Sequence, residues 1–129
     1  MPTELTVLAL AGLLQLLQFC AYSVAANRQV GLRVALGPRD TKPELTGTAG
    51  RLQRALNNHF EGLILFTLAV VVVTLADESS PVTRASAWVY LAARTAYVPA
   101  YAFGLSPWRS VIWSVGLLAT ATMLIAALI

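Results

Sequence analysis

Two long stretches without a single charged residue constrain this chain more than any other feature. Residues 5–26 contain 22 uncharged residues, and residues 110–129 contain 20. A helix needs about 20 predominantly apolar residues to cross the hydrocarbon core of a bilayer, so each stretch is long enough. Only 12% of the 129 residues are charged, whereas soluble domains have about 25%. The sequence therefore predicts an all-α integral membrane protein with a single domain, residues 1–129.

Two less uniform segments lie between these stretches. Residues 62–76 are apolar but number only 15, which gives a helix of about 22 Å against a hydrocarbon core of about 30 Å. Residues 85–105 are long enough but include one arginine and one proline. Serine followed by proline, at Ser80 and again at Ser106, is typical of a helix start. We therefore predict a bundle of four transmembrane helices, at about residues 5–26, 50–76, 81–104 and 107–129.

Positive charges are concentrated at one end of the predicted bundle. Six of the nine lysines and arginines lie in or beside the connector of residues 27–47, and Arg109 lies at the same end. By the positive-inside rule this end is cytoplasmic, so both termini are expected on the outer side of the membrane. The net charge of +3 follows from this topology, and we do not expect nucleic-acid binding from it.

Polar residues run directly into the short apolar segment, so the second helix must carry them to or below the membrane surface if it is to span. Four of them fall within an arc of about 80° on a helix: Arg51, Arg54, Asn58 and Glu61. The third helix has a second polar face of about 60°, formed by Arg94, Tyr97 and Tyr101. Since the two helices run antiparallel, Glu61 and Arg94 lie at similar depths, and an ion pair between them is one expectation.

These charged residues need partners inside the membrane. A charge at the bilayer centre costs about 2.5–3.5 kcal/mol, so neither Glu61 nor Arg94 is expected to face lipid. A structural ion pair is the simplest interpretation, but it requires none of the other polar residues nearby. We therefore favour a net-positive, partly membrane-buried pocket for an anionic ligand. Arginine binds carboxylates through paired hydrogen bonds, and its charge favours a thiolate over a thiol.

Other reactive residue types are scarce. His59, the only histidine, lies outside the polar face and is interpreted as an interfacial residue. Cys20, the only cysteine, excludes an intramolecular disulfide and is interpreted as a packed thiol. No cluster of histidines and cysteines has the spacing of a metal site, so no metal is expected.

At the two polar faces the sequence resembles the MAPEG family, the membrane-associated proteins in eicosanoid and glutathione metabolism. The family's second-helix motif has its counterpart in RLQRALNNHFE at residues 51–61, and the third-helix motif in RTAYVPAY at residues 94–101. The likeness extends over the whole chain in helix number, connector lengths and topology. Two motifs in the right order and at the right separation are more specific than either motif alone.

The resemblance implies a homotrimer of four-helix subunits, with glutathione bound between neighbouring subunits near the cytoplasmic side. One subunit would contribute four glutathione-binding residues: Arg51, Arg54, Asn58 and Glu61. Its neighbour would contribute three more: Arg94, Tyr97 and Tyr101. Glutathione is then the expected cosubstrate, and a lipophilic small molecule from the bilayer is the expected second partner.

The chain departs from the family pattern at three positions. An arginine proposed to activate the glutathione thiol in the eicosanoid enzymes corresponds to Trp108, but Arg109 is only one residue further. Arg109 and Tyr97 are therefore both candidates for stabilising the thiolate, Arg109 being the stronger. Ile64 replaces a frequent proline, and Leu56 replaces a glutamine of some members. These differences affect particular eicosanoid activities more than they affect glutathione binding.

Three functions of different classes fit these observations. The favoured one is a glutathione-dependent transferase or peroxidase that presents a glutathione thiolate to a lipophilic electrophile. The alternative is a non-catalytic membrane scaffold or regulatory protein of the same fold. A small transporter or channel subunit is the third, supported by Arg94 and by Pro99, which is able to kink the third helix. The chain resembles the short bacterial branch of the family, so a bacterial inner membrane is the expected location.

Overall fold

The described part of the chain folds into four helices. The computed structural model of the protein describes residues 1–30, 46–105 and 107–129. Most of the predicted connector 27–47 and the predicted helix-capping residue Ser106 lie outside the described residues. The helices are α1 (Thr3–Val30), α2 (Gly47–Leu75), α3 (Pro81–Ala102) and α4 (Trp108–Leu128). The all-α prediction is confirmed, and each helix begins and ends within four residues of its predicted bounds.

The polar residues before the short apolar segment are part of α2. This helix has 29 residues and a length of about 43 Å, so it exceeds the hydrocarbon thickness of about 30 Å. The apolar segment therefore spans by continuing into the polar motif, as the sequence predicts. The last turn ends at Leu75, and Asp77 follows with a φ of 55° in the tight connection to α3.

Both ends of α3 are fixed by local sequence. At the start, Ser80 Oγ accepts from the Thr83 backbone N–H at 3.2 Å, and Thr83 Oγ1 accepts from the Ser80 N–H at 2.8 Å. Pro81 occupies the first turn, where its missing N–H is not needed. At the end, Gly104 has a φ of 66°, and the Leu105 N–H donates to the Ala100 carbonyl at 2.8 Å. This is a Schellman-type helix end, which favours glycine.

Three of the four helices are long and apolar enough to cross a membrane: α1, α2 and α4. The third, α3, is about 33 Å long but is not among them, because its arginines, tyrosines and small polar residues lower its hydropathy. It nevertheless runs the length of the bundle. Near its start Ser79 Oγ donates to Glu4 Oε1 of α1 at 3.1 Å, and at its end Gly104 lies against Arg51 of α2. Its polar side chains are accommodated by the neighbouring helices.

The apolar core lies in the half of the bundle that contains both termini. The Phe66 and Tyr90 rings stack with their centroids 4.0 Å apart, and Val7, Ala11 and Met123 are buried around them. Small residues allow the helices to approach closely, as is usual in membrane bundles. The other half of the bundle, toward the first connector, contains the polar residues of both motifs.

Candidate functional site

Arg94 is the most buried charged residue of this polar half, with 3% of its surface exposed. Its Nη1 donates to Asn58 Oδ1 at 3.1 Å, and its Nε donates to His59 Nδ1 at 3.4 Å. The guanidinium carbon lies 4.6 Å from the centroid of the Tyr97 ring, in cation–π geometry. Nη2 is buried and has no hydrogen-bond partner among the described residues. The guanidinium is therefore held on three sides, with one nitrogen left without a partner.

His59 is completely buried, so its interpretation as an interfacial residue is wrong. Its Nε2 lies 3.2 Å from the carbonyl oxygen of Ala11 on α1, while its Nδ1 faces Arg94 on α3. One feature of the sequence indicates that His59 is buried. His59 lies seven residues before Phe66, and Phe66, Val70 and Val73 continue the same buried face of α2.

The expected ion pair between Glu61 and Arg94 is not formed. Glu61 is exposed, and Arg94 bonds to Asn58 and His59 instead. The position of Glu61 around the axis of α2 explains why. Arg94 packs over the α2 face of Asn58, His59 and Gly62, and the centre of that face is about 100° away from Glu61.

A cavity of about 220 Å³ opens beside Arg94, between α2, α3 and α4. Its lining residues are Asn58, Tyr97, Tyr101, Arg109, Ser110 and Trp113. Arg54 Nε donates to the Tyr101 hydroxyl at 3.1 Å, and the Arg109 guanidinium lies 5.0 Å from the centroid of the same ring. The Tyr97 and Tyr101 rings are themselves 5.5 Å apart. Tyr101 thus positions two arginines at the edge of the cavity.

The structure brings most of the predicted site residues together, but not all of them. Arg54, Asn58, Arg94, Tyr97, Tyr101 and Arg109 surround the cavity or contact its walls. Arg51 lies instead against Gly104 at the end of α3, and Glu61 is exposed and does not line the cavity. The two motifs meet within one chain through Arg54–Tyr101 and Asn58–Arg94. The resemblance also implies that a neighbouring subunit supplies part of the site, and this stays a prediction.

The structure adds residues that the sequence did not single out. Ser110 and Trp113 line the cavity from α4, one and four residues beyond Arg109. Trp113 also borders a second cavity of about 20 Å³, next to Arg94 and to Tyr90, whose hydroxyl has no partner among the described residues. This volume is enough for one water molecule. The part of the chain that the structure describes contains no group of three His, Cys, Asp or Glu side chains able to hold a metal ion.

The fold and this site define a class: an all-α membrane protein with a cationic, tyrosine-lined cavity near one end of a four-helix bundle. The chain also matches the family model of the MAPEG family over residues 4–129, which is essentially its full length. The protein therefore belongs to the MAPEG family, a membrane family, and is an integral membrane protein. Comparisons with curated proteins and with solved structures gave no match.

Proposed function

We propose that the protein is a membrane-embedded, glutathione-dependent transferase or peroxidase. The cavity between α2, α3 and α4 carries this proposal, because Arg109 lines it and both Arg54 and Arg94 contact residues that line it. Among the described residues, Arg54, Arg94 and Arg109 contact phenol, amide and imidazole groups, and none contacts a carboxylate. Such unneutralised charge suits a ligand with carboxylates of its own. Glutathione has two carboxylates, and the family includes glutathione transferases and peroxidases.

The proposed roles follow the position of each residue. Arg54, Asn58, Arg94 and Tyr101 hold the peptide, with Arg94 acting through the Asn58 amide and the Tyr97 ring, because its own Nη2 is buried. Arg51 and Glu61 complete the binding set at the edge of the site. Arg109 and Tyr97 both line the cavity and are the candidates for stabilising the thiolate.

Arg109 is the stronger of the two candidates for the reactive sulfur. A free thiol has a pKa of about 8.5, so only a few per cent of it is ionised at neutral pH. A guanidinium beside the sulfur favours the thiolate and lowers the pKa of the thiol by about 1–3 units. Since arginine stays protonated, the thiol proton leaves to water. With an aryl halide the thiolate forms a carbon–sulfur bond and halide leaves. With an alkyl hydroperoxide the thiolate takes the terminal oxygen as a sulfenic acid, the O–O bond breaks, and the released alkoxide takes up a proton. Cavity and bilayer together then place a water-soluble thiol next to a lipid-soluble partner.

A homotrimer is part of the proposal, and the outer face of α2 supports assembly. Seven exposed residues repeat at alternating intervals of three and four, the spacing of helices that pack side by side. We call this face the α2 seam: Arg54, Asn57, Glu61, Ile64, Leu68, Val71 and Leu75. If Leu75 marks the outer edge of the hydrocarbon core, Glu61 lies about 9 Å inside the inner edge. Charged groups at that depth need protein neighbours, and a second copy would provide them.

The size of the cavity also favours a neighbouring subunit. Ligand pockets usually have volumes of about 300–1,000 Å³, whereas the cavity of one chain has about 220 Å³. An added wall from an adjacent copy would enclose a tripeptide more completely. We further propose that the arginine-rich end is cytoplasmic, that both termini lie outside, and that the host is a bacterial inner membrane.

Replacing Arg109 tests the proposal. We expect Arg109→Ala to lower turnover of a lipophilic aryl halide or alkyl hydroperoxide about ten- to a hundredfold, because the thiolate loses its counter-charge. The dissociation constant of glutathione, measured by calorimetry, should change less than about threefold. Arg84→Ala is the matched control, since Arg84 lies at the opposite end of the bundle and contacts Ser79.

Equal turnover in Arg109→Ala and the unmodified protein would remove Arg109 from the mechanism. Glutathione binding without turnover of any electrophile by the unmodified protein would instead favour a non-catalytic scaffold of the same fold.

A further inference from the structure

We infer that His59 is a positioning residue that fixes the orientation of the Arg94 guanidinium by connecting it to the backbone of α1. The part of this inference that concerns glutathione rests on the proposed function. The connection itself is a property of the protein without ligand. It joins three helices, since Ala11 lies on α1, His59 on α2 and Arg94 on α3.

The two partners of the imidazole determine where its proton lies. The Ala11 carbonyl oxygen is able only to accept a hydrogen bond, so Nε2, at 3.2 Å, must carry the hydrogen. The Nε of Arg94 is able only to donate, so Nδ1, at 3.4 Å, must present its lone pair. Both contacts are satisfied by one state alone, the neutral imidazole protonated at Nε2. A doubly protonated ring would place an N–H of Nδ1 against the N–H of Arg94.

Holding Arg94 through its Nε has a consequence for the ligand. With Nε on His59 and Nη1 on Asn58, the plane of the guanidinium is fixed over the Tyr97 ring. Its remaining buried nitrogen, Nη2, has no partner among the described residues. An oriented Arg94 in turn fixes the Asn58 amide and the Tyr97 ring, which both line the cavity, so these side chains lose little freedom when a ligand binds there. His59 would thus improve binding without touching the ligand.

Two conservative substitutions separate the two hydrogen bonds of His59. In His59→Asn the amide oxygen takes the place of Nδ1 and is able to accept from Arg94, but the side chain is too short to reach Ala11. In His59→Gln the amide nitrogen takes the place of Nε2 and is able to donate to Ala11, while the acceptor for Arg94 is lost. We expect His59→Gln to weaken glutathione binding about tenfold and His59→Asn to weaken it less than about threefold. His59→Asn should lower the thermal unfolding temperature more than His59→Gln does, because only His59→Asn loses the hydrogen bond to Ala11.

Because the chain has a single histidine, its imidazole nitrogen NMR signals come from His59 alone. In ligand-free protein labelled at histidine and held in detergent at neutral pH, we expect a protonated Nε2 and an unprotonated Nδ1. Arg94→Lys should shift the Nδ1 signal. Thr95→Ala should not, since among the described residues the exposed Thr95 hydroxyl bonds only to the Leu91 carbonyl of its own helix.

A ring protonated at Nδ1, or an Nδ1 signal that does not shift in Arg94→Lys, would overturn the inference. So would equal glutathione affinities of His59→Gln and His59→Asn in a protein that binds glutathione. If the unmodified protein binds no glutathione, the proposed function fails, while the NMR spectra still decide whether His59 holds Arg94.

Discussion

At the scale of single residues, the site consists of arginines held by neutral partners. Arg94 is bound by an amide, an imidazole and an aromatic ring, and Tyr101 contacts both Arg54 and Arg109. Neutral partners fix the direction of a guanidinium without cancelling its charge. A carboxylate in the same place would neutralise the cavity and weaken its attraction for an anion. The exposed position of Glu61, away from Arg94, is consistent with this arrangement.

Tyr101 offers a test of this arrangement through its hydroxyl alone. Tyr101→Phe removes the acceptor for Arg54 Nε but keeps the ring beneath Arg109. We expect the glutathione dissociation constant to rise about three- to tenfold, because the lost hydrogen bond contributes about 1 kcal/mol to the free energy of binding. Calorimetry on detergent-purified protein measures it. Tyr22→Phe on α1 is the matched control, and an equal effect in both variants would show that the Arg54–Tyr101 contact does not matter for binding.

Local sequence predicted some of these residues well and others poorly. The spacing of Arg94, Tyr97 and Tyr101 determines a common helix face, so their convergence on one side of α3 was predictable. His59 was missed because its partner is a backbone carbonyl of α1, and helical periodicity in α2 says nothing about another helix. Arg109 was predicted only from the resemblance and Trp113 was missed, because the placement of both depends on the packing of α4 against the other helices.

At the scale of elements, α2 performs two tasks on different faces. Its inner face places Asn58, His59 and Gly62 against Arg94, where a side chain at Gly62 would begin 3.5 Å from the Tyr90 hydroxyl. Its outer face is the α2 seam, whose seven residues are all exposed, although Arg54 at one end also bonds to Tyr101 of α3. The bounds of the helices follow from apolar length and capping residues, and these are local signals. The partner of the seam is not a local property, so it could not be derived from spacing.

The seam predicts an effect on assembly. Replacing Ile64 and Leu68 together with alanine removes two apolar contacts from its centre and should reduce trimer formation. The molar mass of the protein in detergent, determined by light scattering, should correspond to three chains before the change and to a mixture with fewer chains after it. Leu13→Ala combined with Leu16→Ala is the control, because both leucines are exposed on α1. A single-chain mass for the unmodified protein would contradict the assembly we propose.

At the scale of the whole molecule, the bundle is divided along its axis. The half near the termini contains the stacked Phe66 and Tyr90 rings and the apolar core, while the other half contains the arginines, tyrosines and the cavity. Composition and charge distribution predicted this division, because the arginines and the first connector lie at the same end. In the function we propose, this division places the cationic cavity at the membrane boundary, where a water-soluble anion and a lipid-soluble molecule are both able to arrive.

The most direct test of the central claim is the ultraviolet difference spectrum of glutathione mixed with detergent-purified protein at neutral pH. We predict a saturable thiolate absorbance that is reduced in Arg54→Ala and lost in Arg109→Ala, whereas Arg84→Ala retains it. Calorimetry at the same concentrations shows whether the site is occupied. Saturated binding without thiolate absorbance, or no binding at all, would contradict the proposal that this cavity binds glutathione and activates its sulfur.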